Sequence, residues 1–174
     1  MKSASCLLAA FFCLILRADG QTLEEQNRYT LSGLKEVRLV VEADLPQELT
    51  AQMINESELR SEAELHLRRS GIPIAHMGLE ALYVIVDAMK STPGYYVFSV
   101  RAEFRQMVCI RRLERQGPSG CAPAYAPTWA VGVIGIAGPT RVSAIREAVG
   151  LRVDAFANAF LAVNPREAGA EGKK

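Results

Sequence analysis

An α+β fold is predicted: a two-layer sandwich in the order β-α-β-β-β-α, with a four-stranded, mostly antiparallel sheet and two helices on one face. Three observations predict it. Residues 94–110 place Tyr96, Phe98, Val100, Ala102 and Phe104 on even positions and Ser99, Arg101, Glu103 and Arg105 on odd ones. That period of two is a long strand with one buried and one wet face. Ile145, Val149, Val153, Phe156, Phe160 and Val163 step by three and four, the apolar stripe of a helix. A second such stripe, Leu59, Ala63 and Leu67, lies earlier in the chain. Two helices with one apolar stripe each cover one sheet face.

Taken in order, Val37 to Val41 is a short β-branched run and the first strand. A connection containing Pro46 leads to the first helix, with Asn55 as N-cap and Glu58 at the capping-box position. Gly71 ends that helix, with Pro73 just beyond it. Ala81 to Ala88 is the second strand, and Ser91-Thr-Pro-Gly94 turns into the long third one. Residues 124–136 form the fourth strand, in which Gly132, Gly135 and Gly138 predict close packing or a bulge. Gly138-Pro139-Thr140 opens the last helix, Gly150 inside it predicts close contact with the sheet, and Asn164-Pro165 stops it. The first crossover predicts parallel strands, and the last three strands an antiparallel meander.

The chain divides into residues 1–20, a signal peptide; 21–35, a flexible leader; 36–165, one domain; and 166–174, a disordered tail. Lys2 precedes an apolar run from Cys6 to Leu16, and Ala18-Asp19-Gly20 places small residues before a cut at Gln21. The run is shorter than the roughly 20 residues that span a bilayer. Neither Cys6 nor Cys13 has the small-residue setting of a lipid anchor. The expected location is therefore the periplasm, with the extracellular space second. Of 20 basic and 19 acidic side chains, two basic and one acidic leave with residues 1–20, so the two signs balance. That balance and export both argue against nucleic acid as a partner.

Cys109 and Cys121 remain after cleavage, flanking a segment that ends in Gly-Pro-Ser-Gly turn chemistry. If the flanking strands form a hairpin, these cysteines face each other, and a bridge stabilises by very roughly 3 kcal/mol. The alternative is two free thiols. The same register sets Trp129 opposite Arg101 on the uncovered sheet face. Trp129, Val131 and Tyr95 beside Arg101 and Arg105 then make an aromatic and arginine patch suited to a partner protein. The alternative is that a loop or the leader caps Trp129, which then completes the core.

His66 and His76 have no second ligand at metal spacing, and no nucleophile elbow or phosphate loop occurs. No catalytic, cofactor-binding or metal site is expected. The expected role is a non-catalytic envelope interaction module whose partner is another envelope protein. The alternative is a carrier of a small apolar, lipid-like ligand held among Phe98, Phe104, Phe156 and Phe160.

Leu65-His-Leu-Arg-Arg-Ser-Gly-Ile-Pro73, Leu82-Tyr-Val84, Tyr96-Val-Phe-Ser-Val-Arg-Ala-Glu-Phe-Arg-Gln106, Thr128-Trp-Ala-Val-Gly132 and the ending Val153-Asp-Ala-Phe-Ala-Asn-Ala-Phe-Leu-Ala-Val-Asn-Pro165 resemble a family of small, signal-peptide-bearing bacterial proteins of unassigned function. The resemblance spans most of residues 34–165 and supplies no active site to carry over. The element order is also similar to the amino-terminal domain of the Tol-system periplasmic translocation protein and to lipopolysaccharide-assembly lipoproteins. The chain departs from the latter in having no lipid-anchor cysteine. Both are envelope interaction modules, so the similarity implies binding rather than catalysis.

Overall fold

In the computed structural model, residues 27–51, 54–110 and 121–165 are described. In β1 (Val37–Asp44), Val37, Leu39 and Val41 are buried and alternate with Arg38, Val40 and Glu42. Pro46, whose ring fixes φ near the observed −55°, leads into a single turn, α1 (Gln47–Thr50). α2 (Glu56–Arg69) begins where the Asn55 side chain accepts from the Glu58 N–H. It ends at Gly71, which has a φ of +65° and is followed by a bond from the Ile72 N–H to the Leu67 carbonyl. Its buried residues are Leu59, Ala63 and Leu67, as the spacing predicted.

The rest of the sheet is β2 (Ile74–Ala75), β3 (Ala81–Thr92), β4 (Tyr95–Ile110) and β5 (Ala122–Ala137), in spatial order β2-β1-β3-β4-β5. β1 pairs parallel with β3, and β3, β4 and β5 form the antiparallel meander. The sheet differs from the expected four strands because residues 74 and 75, just past the glycine stop of α2, pair parallel with Val37 and Arg38. The sheet is thus mixed and five-stranded, and the class is α+β. α3 (Ser143–Val163) starts a few residues later than Thr140, after a turn in which the Arg141 N–H reaches the Gly138 carbonyl.

The core lies between the helices and one face of the sheet. Tyr96, Phe98, Val100, Ala102 and Phe104 of β4 are buried under α3, whose Ile145, Val149, Val153, Phe156 and Phe160 are buried in turn. Phe104 stacks on Phe156 at 5.8 Å between centroids, and Phe160 lies 6.0 Å from Phe156 on its other side. Gly150 makes its close approach to α2 rather than to the sheet: a Cβ there would sit 2.6 Å from His66 Nε2. His66 is held between Asp154 of α3 at 2.7 Å and Glu62 of its own helix at 3.2 Å, joining the two helices. Gly135 gives the expected close packing, since its missing Cβ leaves room for the Phe98 ring.

Within the predicted leader, the described residues from Asn27 onward pack against the domain. Leu31 is fully buried, and its carbonyl accepts from the Asn164 side chain at 2.8 Å. The same side chain accepts from the Gly33 N–H at 2.7 Å, so one asparagine ties residues 31–33 to the end of α3. The predicted signal peptide, residues 21–26, the turn at 117–120 and the predicted tail 166–174 lie outside the described residues.

Candidate functional site

β4 divides the molecule into a face covered by helices and an open face. Its register with β5 decides which side chains reach each. The expected hairpin set Arg101 opposite Trp129, but Arg101 pairs with Gly132, three residues away. That odd offset, which holds from Trp129 onward, moves those side chains of β5 to the other face, while residues 122–127 beyond the bulge are offset by two and keep theirs. Trp129 consequently pairs with Phe104 on the helix side, is 3% exposed, and meets Phe156 edge-on at 5.2 Å. Val131 pairs with the buried Ala102 and is half-buried on that side too. Neither residue belongs to the open face, and Trp129 completes the core.

Arg101, Arg105 and Tyr95 do lie on the odd side of β4 and remain at the open face. Glu103 stands between the two arginines, accepting from Arg105 Nη2 at 2.8 Å and Arg101 Nη1 at 3.5 Å. Arg101 also approaches Asp87 at 3.8 Å, and Ser99 donates to the same carboxylate at 3.2 Å. Arg105 lies over the Tyr83 ring, 4.4 Å from its centroid. The bond from Glu103 holds the Arg105 guanidinium above its ordinary pKa, which keeps the charge fixed. Burial raises the Tyr125 hydroxyl above its ordinary value, and a hydrogen bond with Tyr83 raises it further. The result is a row of planar groups, Tyr83, Arg105 and Tyr125, flanked by ion pairs.

Exposed apolar side chains share the open face: Met107 pairs with Tyr125 beside this row, whereas Met89, Ile134 and Ile136 lie toward the other end of β4, beside Val97 and Ser99. These residues escaped sequence reasoning because β3 is apolar on both faces and because the assumed register turned Ile134 and Ile136 inward. The alternation Tyr83, Ile85, Asp87, Met89 was their available signal.

The disulfide between Cys109 and Cys121 forms, with Cα atoms 5.3 Å apart. The cysteines are not directly opposite. Pro123 pairs with Cys109, so the bridge is diagonal, across a hairpin whose register shifts at Phe104/Arg105.

A cleft of about 630 Å³ opens between α2 and the β1–β2 edge, lined by Arg38, Arg60, Glu64, Arg68 and His76 among others. Its arginines already serve the fold: Arg60 donates to the Leu39 carbonyl, Arg68 to Glu64 and Arg38 to the Gly78 carbonyl. Among the described residues no group of three His, Cys, Asp or Glu side chains could hold a metal. No described helix is long and apolar enough to cross a membrane. No family model matches this sequence, and no curated protein does either.

Proposed function

We propose that this chain is an exported, non-catalytic interaction module of the bacterial cell envelope, one of the small signal-peptide-bearing proteins that its sequence resembles. Its partner is another envelope protein, received on the open face of the sheet. The observation that carries the reading is the Glu103-centred network. Arginine and tyrosine are the side chains that most often anchor interfaces, and here they are held in place before any partner arrives. Preorganised side chains lose little rotamer entropy on binding, and Met89, Met107 and the isoleucines supply apolar area around them. The Cys109–Cys121 bridge fits an oxidising compartment.

The carrier alternative draws less support. Phe104, Phe156 and Phe160 fill the layer by touching one another, so the space a lipid would occupy is taken by rings. The test is site-specific photocrosslinking in envelope preparations from a photoreactive residue at position 101, compared with one at position 60 on α2. A defined adduct from position 101 alone, lost in Arg105→Glu, supports the reading. Equal labelling from both positions, or an adduct indifferent to Arg105→Glu, overturns it. Mass spectrometry of the purified protein checks export: a mature terminus at Gln21 is the expected result.

A further inference from the structure

β5 is an edge strand along all of its sixteen residues, and its two halves are treated differently. Near the hairpin, Pro123 and Pro127 pair with Cys109 and Arg105, and their ring nitrogens on the free side leave that edge without donors. At the bulge, the Thr30 hydroxyl covers the Thr128 carbonyl at 3.3 Å. Residues 130–137, Ala-Val-Gly-Val-Ile-Gly-Ile-Ala, have no proline and no charge, and among the described residues no strand neighbours them on that side. Ile134 is 79% exposed and Ile136 70% exposed. Natural edges usually carry a lysine, a proline or a bulge against pairing, and this half carries none.

We infer that residues 130–137 are a self-association surface, on which a second copy of this chain pairs antiparallel about a two-fold axis to continue the sheet. Self-complementarity selects a second copy over other strands. With the axis at Val133, Ile136 falls opposite the partner's Ala130 and Ile134 opposite the partner's Gly132. On the helix side, Val131 falls opposite the partner's Gly135. Away from the axis, where Val133 meets its own copy, each large side chain meets a small one, and no charge opposes another along the strand. A symmetric contact of this kind closes at two copies.

The helix layer tolerates the same arrangement. α3 touches β4 and β5 and, to a lesser extent, β3, so its axis lies nearer β4 than β5. With strands about 4.8 Å apart, that axis stands more than about 5 Å from the two-fold. The two α3 axes are then more than about 10 Å apart, so contact between them falls to long side chains. The flank of α3 turned that way carries Leu151, which is 59% exposed, and Arg152. Arg152 reaches only the Gly132 carbonyl, by a long bond of 3.4 Å, and that oxygen can also accept from a partner strand.

An eight-residue strand pair with a few helix side chains is a small contact, near the lower limit of about 1,000 Å² for a specific interface. The dimer is expected to form at concentrations on the order of 10 µM. Sedimentation equilibrium of the full-length mature chain tests this, and its outcome is independent of whether the open face binds an envelope partner. Wild type is expected to dimerise. Ile134→Lys, at a position exposed enough to keep the fold, is expected to weaken the dimer at least tenfold, whereas Met107→Lys on the open face leaves it unchanged. Oxidative crosslinking of Ala130→Cys mixed with Ile136→Cys is expected to join unlike chains. A monomer at about 500 µM, some fifty times the expected constant, overturns the proposal. So does a dimer insensitive to Ile134→Lys, or crosslinks that join like chains as readily as unlike ones.

Discussion

The two faces of β4 are built from adjacent residues and obey different rules. Toward the helices, Phe104, Trp129 and Phe156 interlock, and each position is constrained by the volume of its neighbours. Toward solvent, Arg101, Glu103 and Arg105 hold one another by charge. Stability is concentrated on the first face and capacity for recognition on the second. Substitutions should separate the two, and they do so with very different magnitudes.

The sharpest separation comes from Phe156→Ala. It removes a fully buried ring that touches Phe104, Trp129 and Phe160, and should cost about 3–5 kcal/mol in urea unfolding. Arg101→Ala on the other face should change the same measurement by less than about 0.5 kcal/mol while lowering partner recovery in a pull-down. Next is the pair Cys109→Ser with Cys121→Ser, expected to cost roughly 3 kcal/mol. Dithiothreitol should lower the wild-type midpoint to the variant's and leave the variant unmoved.

Asn164→Ala comes third, at about 1–2 kcal/mol, because it unpairs the buried Leu31 carbonyl and the Gly33 N–H together. Hydrogen exchange should rise first in residues 30–34. The smallest effect belongs to Tyr125. Its hydroxyl is held neutral in the fold above its ordinary pKa of 10.0, so it favours folding below that pH and loses this contribution as pH rises through the folded value. Tyr125→Phe should lower stability slightly at neutral pH and flatten the alkaline limb of a stability–pH profile.

Local signals foretold the elements well, and the register between them poorly. The Asn55 cap, the Gly71 stop, the alternation of β4 and the stripe of α3 are each written within a few residues, and each is present. The position of β5 against β4 depends on a bulge at Phe104/Arg105 and on a connection whose Gly-Pro-Ser-Gly end marks a turn without fixing which residues face each other. Setting the cysteines directly opposite displaced the pairing by three and put Trp129 on the wrong side. The two-residue β2 was illegible for another reason: a strand so short has no period to read. Of the expected partner surface, Arg101, Arg105 and Tyr95 stay on the open face because they belong to β4. Trp129 and Val131 leave it because they belong to β5.

The Asn164 clamp carries a consequence for how the chain is made. Its bonds to Gly33 and Leu31 join residues 131 and 133 positions apart, nearly the whole length of the domain. A chain emerging amino end first, from a ribosome or through a pore, has its β-meander complete while residues 31–33 still lack their anchor. The last helix must emerge before the first ordered turn can settle. Until then the buried place of Leu31 stands open, and the nascent chain presents a loose apolar end to whatever chaperone accompanies it. The domain closes like a drawstring, at the final residues to arrive.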